Sequence, residues 1–247
     1  MAALLWGLSL WGCGSAALEA PGTSAPAESA SGGSSGYYDY YGSYGTAEIT
    51  FLDDVQSNVT AGDEVGGLSF VDVDGKTTRL RDFVGSKSVV LVITRGNTNP
   101  ICPYCTTQTS RLIANYAKFS ERNAEVIVVY PIERPQDETR LADFLRATRD
   151  KLDDPEQPVP FPILLDVELV AVDRLGIRKD LSKPATYILD PRGKIRFAYV
   201  GADLADRPSV AAMLEQLDLI ASEGTADSAE TAVPPVVDPA GPPRDEG

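Results

Sequence analysis

Two continuous runs rich in β-branched residues constrain this chain most: residues 88–94 (SVVLVIT) and 125–130 (EVIVVY). A strand with one wet face alternates apolar and polar residues, and neither run does. Both are therefore expected to be buried on two faces, which requires other layers above and below a sheet. Between them, Leu112, Ile113, Tyr116 and Phe119 recur at helical spacing within residues 102–119. Pro131 and Pro135 then break the chain, and Leu141, Phe144, Leu145 and Leu152 again follow a helical period. Residues 161–165 are expected as a short edge strand, and 167–175 as a helix closed by Gly176. Residues 186–189 and 195–200 flank the turn Asp190-Pro191-Arg192-Gly193, as a hairpin does. An opening strand covers residues 68–73 before Asp74-Gly75, and Pro208 is placed to start a last helix reaching about Ile220. Strands alternating with helices predict an α/β fold: a central mixed sheet, mostly parallel, with helices on both faces.

The ends read differently from the middle. Residues 2–12 are apolar or small, too few to span a bilayer as a helix, and match the apolar core of an export signal. Leu10-Trp11-Gly12-Cys13, with Gly14 and Ser15 following, resembles a bacterial lipoprotein cleavage site, which implies lipidation of Cys13. A plain cleaved signal and an uncleaved terminus are the alternatives. Residues 14–50 form an Ala/Ser/Gly/Pro linker that ends in the tyrosine-rich run 37–44. A folded domain is expected over residues 51–221, and an acidic, Pro-rich, disordered tail over 222–247. The net charge is −14, but nine of those units lie in residues 1–50 and 221–247. The domain itself is only mildly acidic, and no basic stripe is available for nucleic acid. Asn58-Val59-Thr60 fits a glycosylation sequon and is read as chance.

The chain has no histidine and three cysteines, so imidazole catalysis, His-ligated metal and a four-cysteine zinc site are all excluded. No cofactor or metal is expected. The remaining chemistry centres on Cys102-Pro103-Tyr104-Cys105, placed where the first buried strand passes through a loop into a helix. Two cysteines three apart share a helix face and can close a disulfide. A helix N-terminus stabilises a thiolate, and Pro103 fits the first turn. Arg95, in the preceding loop, is a candidate source of positive potential. A structural bridge would close too small a loop to remove much unfolded-state entropy, and half of a shared zinc site would need a partner chain. A C-x-x-C beside a β-α-β pattern reads as a redox pair.

Here the chain resembles the thioredoxin-like superfamily, and within it the AhpC/TSA (peroxiredoxin-like, redoxin) branch. The resemblance runs over about residues 63–220. It rests on the stretch 67–85, on Thr94-Arg95-Gly96 leading to the cysteine pair, and on the stretch 183–194. It implies a thioredoxin-like fold. It also implies a cis Pro184 facing the pair, with Lys183, Ala185, Pro103 and Tyr104 around a bound substrate.

By the same resemblance Cys102 is the attacking thiolate and Cys105 the resolving one. The implied activity is a thiol–disulfide oxidoreductase working outside the cytoplasm on protein or small-molecule thiols and disulfides, fed by a membrane thiol relay. The membrane is reached only through the lipid anchor. The alternative is a thiol peroxidase, with Thr98 orienting the peroxide; an inactive surface-tethered binding module ranks last. The oxidoreductase is placed first because Thr98 lies four residues before Cys102, where the peroxidase pattern has three, and the pattern's upstream proline is missing. The first buried strand also lacks the acid that serves thioredoxins as proton acceptor. Glu133, at the end of the next strand, is the substitute considered.

Overall fold

A computed structural model describes residues 49–60 and 65–230; for 224–230 only the backbone is considered. All of these belong to one compact unit. The signal-like segment, Cys13, the linker up to residue 48 and residues 231–247 of the tail lie outside the described residues. No helix among the described residues is long and apolar enough to cross a membrane.

The chain opens with β1 (Ser69–Val71) and β2 (Thr77–Arg79), and then β3 (Ser88–Ile93). Helices α1 (Pro103–Ala114) and α2 (Tyr116–Glu121) lead to β4 (Ala124–Ile132). Next come α3 (Arg140–Arg149), β5 (Ile163–Val167) and α4 (Val170–Arg174). A two-residue pair, β6 (Arg178–Lys179) with β7 (Leu181–Ser182), precedes the hairpin β8 (Ala185–Leu189) and β9 (Ile195–Val200). Helix α5 (Val210–Glu230) closes the chain and runs past the residue-221 boundary expected for the domain.

Seven strands form one sheet in the order β2-β1-β5-β4-β3-β8-β9. The two β-branched runs are its centre: β3 pairs parallel with β4 and antiparallel with β8, and all six of its residues are buried. Alternate residues of β3 serve opposite faces, as the two-residue period of a strand requires. Val89, Leu91 and Ile93 join a core with Ala171 and Val172 of α4. On the other face Tyr130 of β4 packs on Phe144 of α3, ring centroids 4.8 Å apart. The mixed sheet with helices on both faces is the expected α/β thioredoxin-like arrangement.

Three local expectations differ. β5 is not an edge strand, because β1 pairs with it on the side away from β4; the short leading hairpin covers it. The helix expected over 102–119 breaks at Asn115, whose backbone leaves helical geometry and whose side-chain amide donates to the Arg111 carbonyl. Pro208 lies before α5 rather than in its first turn; the Ser209 hydroxyl accepts from the Ala212 N–H, as a capping residue does. Gly176 closes α4 as expected, its N–H donating to the Asp173 carbonyl. Asn58 of the sequon is engaged at both ends of its side-chain amide, with the N–H and carbonyl of Val200.

Candidate active site

Three segments converge on the cysteine pair: the turn after β3, the start of α1 and the loop after β9. The turn after β3 is set by Gly96. A Cβ there would lie 2.3 Å from the Pro131 carbonyl oxygen, and its φ is +96°, so only glycine fits. The turn is anchored to β4 by the Asn97 N–H, which donates to the same Pro131 carbonyl at 2.9 Å. This leaves the Arg95 N–H pointing at Cys105 Sγ, 3.4 Å away.

Cys102 caps α1, its sulfur accepting from the Cys105 N–H at 3.3 Å, and Pro103 occupies the first turn as expected. Both cysteines are reduced and only 1% exposed. Tyr104 is buried, and Pro103 half-buried.

The loop after β9 carries a group that the sequence reading missed. Arg207 is 1% exposed, the largest fully buried side chain among the described residues. Its Nη2 lies 3.3 Å from Cys105 Sγ and 3.9 Å from Cys102 Sγ. Its Nη1 donates to Gln108 Oε1 at 2.8 Å, and its Nε to the Leu204 carbonyl at 2.7 Å. A guanidinium without such partners could not be buried at tolerable cost. The loop is built to aim it inward. Asp203 accepts from the N–H groups of Ala205 and Asp206, a self-bonded turn. Asp206 accepts in turn from the Ala202 N–H and the Tyr199 hydroxyl. Gly201 lets this loop close: a Cβ there would meet the Asp206 carbonyl oxygen at 2.1 Å and Pro184 Cγ at 2.9 Å.

These contacts decide where the pair holds its charge. Burial alone would raise the Cys105 thiol. The Cys102 thiol donating to it, the Arg207 charge, the Arg95 N–H and the Arg207 hydrogen bond more than offset this and bring it down to about 6. Burial also raises the Cys102 thiol, and the hydrogen bond with and charge of Cys105 raise it further, against a smaller opposing pull from Arg207. Within the pair the two shifts oppose each other: the guanidinium side favours the thiolate on Cys105, and burial favours the thiol on Cys102. From its place at the helix start, Cys102 is the expected thiolate. That sulfur is the cap itself and takes a single N–H at close range, whereas Cys105 lies one turn in and meets the guanidinium.

The other expected residues are placed as follows. The Arg95 side chain pairs with Asp180 at 3.1 Å, and its main-chain N–H is the group that meets Cys105. Thr98 has a buried hydroxyl without a hydrogen-bond partner. The bond preceding Pro184 is trans; the cis bond among the described residues is Asn99–Pro100. Pro184 leads directly into β8, its carbonyl accepting from Gly201 N–H in continuation of the β8–β9 ladder. A trans proline at the start of a strand fulfils that role. Ala185 is buried at the head of β8, opposite Ile93, and the Lys183 N–H donates to the Ile177 carbonyl. Among the described residues no hydrogen bond or ion pair joins Pro184, Ala185 or Lys183 to either sulfur. Glu133 is exposed and takes no part. No cluster of metal-ligating side chains occurs among the described residues.

The profile of the AhpC/TSA family matches residues 61–198, more than half of the chain. The chain therefore belongs to the AhpC/TSA family, and its enzyme class is that of a thiol-dependent peroxidase or oxidoreductase acting on thiol and peroxide substrates. Solved structures share the fold. Reduced 2-Cys peroxiredoxin from Plasmodium vivax is 21% identical, with a TM-score of 0.51, covering 64% of this chain and 79% of that one. A Cys-to-Ser mutant of peroxiredoxin 6 from Arenicola marina is 18% identical, also at 0.51, covering 72% and 80%. The mitochondrial 2-Cys peroxiredoxin of Plasmodium falciparum is 18% identical at 0.49, covering 67% and 94%. Among curated proteins none matches the sequence significantly. Arg207 lies beyond the matched span, as do residues 49–60.

Proposed function

We propose that this chain is a dithiol peroxidase that reduces hydrogen peroxide or a small hydroperoxide through the Cys102–Cys105 pair. The observation that carries this is the burial of both sulfurs, each residue 1% exposed, against an equally buried guanidinium. A protein disulfide must bring its own sulfur in line with the attacking one, and a surface without an exposed sulfur denies that approach. A peroxide is barely larger than water and needs no such docking. This reverses the order in which the two activities were expected from the sequence.

The chemistry follows from the placement of charge and proton. The Cys105 thiolate attacks the nearer peroxide oxygen, the O–O bond breaks, and Cys105 becomes a sulfenic acid. The alkoxide or hydroxide that leaves takes the proton of the Cys102 thiol. The Cys102 thiolate so formed attacks the Cys105 sulfur and expels hydroxide, which solvent protonates to water, leaving the disulfide. Arg207, whose Nη2 reaches both sulfurs, is the donor placed to meet the peroxide oxygens. An external dithiol restores the reduced pair.

Stopped-flow with hydrogen peroxide and a sulfenic acid trap tests the scheme. Cys102→Ser accumulates the trapped adduct on Cys105, and Cys105→Ser loses the fast reaction. A wild-type reaction no faster than that of a free thiol, together with efficient reduction of insulin disulfides, overturns it in favour of the disulfide reductase. We further propose that the domain works outside the cytoplasm on a lipid anchor at Cys13, drawing electrons from a membrane thiol relay. Mass spectrometry of the membrane fraction tests this: an acylated N-terminal Cys13 supports it, and an intact N-terminus in the cytosolic fraction rules it out.

A further inference from the structure

The described chain begins with a short extended segment, residues 49–53, that touches both halves of the site. Towards the loop after β9, the Leu52 N–H donates to the Arg207 carbonyl at 2.9 Å and the Ser209 N–H donates to the Leu52 carbonyl at 2.8 Å. Leu52 thereby forms a parallel bridge with Pro208. The Ser209 hydroxyl adds a bond to the Asp53 carboxylate. Towards α1, the Arg111 guanidinium donates to the Ile49 carbonyl and lies over the Phe51 ring, 5.1 Å from its centroid. Helix α1 carries Cys105 and Gln108; the loop carries Arg207. Side-chain contacts of Arg207 join these two elements at the site, and residues 49–53 join them a second time from outside it.

The segment is not there to fill a core. The Leu52 side chain is 42% exposed, and residue 52 acts through its main chain. A guanidinium that meets one sulfur at 3.3 Å and the other at 3.9 Å selects between them by a difference of a few tenths of an ångström. Its main chain must be held to that tolerance. The side chain is fixed at Leu204 and Gln108, but its own carbonyl is fixed by Leu52.

We propose that residues 49–53 are a positioning brace, gripping α1 through Arg111 and the Arg207 segment through Leu52, and that this grip sets the reactivity of the cysteine pair. Residues 49 and 50, the end of the expected linker, thus continue into a segment that joins the domain beside its redox site. The ionisable groups facing the pair are Arg207 from the loop and Tyr130 from β4, whose hydroxyl burial and the nearby sulfur charges keep protonated. Neither belongs to the brace, so a change in the brace reaches the sulfurs only through position. This inference concerns the site read above as a peroxidase, but its test reads thiol acidity and stands apart from peroxide turnover.

The test uses the full chain with Leu52→Pro, which removes the N–H that holds Arg207, and Arg111→Leu, which releases the α1 end. Alkylation of the reduced pair by iodoacetamide is followed against pH, with thermal melting alongside. Both variants are expected to react at least threefold more slowly than wild type at pH 6.5 and equally fast at pH 9.5. Asn58→Ala, a few residues along the same segment but tied to β9, is the control, and its pH profile is expected to match wild type. Leu52→Pro and Arg111→Leu profiles that superimpose on wild type overturn the brace, whatever the melting shows. So does an equal shift in Asn58→Ala, which would mean general loosening. If wild type shows no peroxide turnover while the variants shift as expected, the peroxidase reading falls and the brace stands.

Discussion

The loop that precedes α1 and the loop that precedes α5 both reach the cysteine pair, but they work by opposite means. The first places Arg95 beside the sulfurs in sequence and meets Cys105 through its main-chain N–H, 3.4 Å away, while the guanidinium pairs with the exposed Asp180. The second brings Arg207 from far along the chain and buries its whole guanidinium against the sulfurs. A fixed amide dipole can be supplied by any residue; a buried charge requires one particular side chain and a loop made to carry it. The Asp203 turn, the Asp206 contacts and Gly201 are that loop. The first loop is thus expected to tolerate side-chain change and the second not.

The largest effect is expected from Arg207→Met. It removes the charge and leaves the burial, so the Cys105 thiol should lose acidity and ionise at higher pH, with only the Cys102 hydrogen bond and the Arg95 N–H left to oppose burial. Loss of a preorganised donor of this kind costs roughly 10²–10³-fold in rate. Stopped-flow at pH 7 reads the loss, and the pH profile of alkylation reads its cause. Arg207→Lys keeps the charge but not the fork that also serves Gln108 and Leu204, and should recover only part. A Met variant with wild-type acidity would erase the distinction between the two loops.

Next in size is the pH dependence of stability. Folding lowers the Cys105 thiol from 9.0 to about 6. Between those values the folded chain has released a proton that the unfolded chain still holds, so stability rises with pH across the window. It is lost as pH falls through about 6. The gain is at most about 4 kcal/mol at the top of the window. Above it the trend reverses, because the Cys102 thiol, raised by burial, stays protonated while the unfolded thiols ionise. The disulfide form has neither group and should lack both limbs. Urea melts of reduced and oxidised protein from pH 5.5 to 10 make the measurement, and parallel curves would contradict the placement of the thiolate.

The contrast between the loops also explains what could be read from the sequence. The sheet was legible because burial on two faces writes itself as an uninterrupted β-branched run, as in β3 and β4. The position of β5 was not, since a five-residue strand looks the same at an edge as beneath a two-strand hairpin. The cysteine pair was legible because its members are three residues apart and their geometry is local. Arg207 was not: it stands in Asp-Arg-Pro-Ser, 102 positions from Cys105, with no period to mark it as buried. Pro208 beside it drew attention as a helix opener instead. Arg95 was favoured because proximity along the chain was the only proximity available. For Pro184 the resemblance supplied a cis bond, whereas the local geometry is a strand entrance in continuation of the β8–β9 ladder.

A smaller effect is expected from Gln108→Glu. Gln108 is 3% exposed and accepts from Arg207 Nη1 at 2.8 Å. A carboxylate there competes with the Cys105 thiolate for the one buried cation, and an added negative charge nearby disfavours the thiolate directly. Peroxide reactivity at pH 7 should fall by about tenfold, and the alkylation profile should move to higher pH. Gln108→Met removes the acceptor without adding charge and should move the profile less. A Glu variant that ionises its thiol as readily as wild type would mean that Arg207 is held by Leu204 and its main chain alone.

The smallest effect separates the two loops most sharply. Arg95→Ala deletes the guanidinium but keeps the N–H that meets Cys105 Sγ. The lost ion pair with Asp180, whose side chain is 75% exposed, is of the surface kind and worth about 0–1 kcal/mol. The rate with peroxide and the pH profile should both stay within about twofold of wild type, since one pKa unit corresponds to 1.36 kcal/mol and no such energy is removed from the pair. Arg95→Pro deletes the N–H itself, and should raise the pH at which the pair ionises although the same side chain is lost. If Ala and Pro behave alike, the main-chain bond contributes nothing. If Ala alone already shifts the profile by a full unit, the guanidinium acts on the sulfurs across the distance to Asp180, and the first loop has two means rather than one.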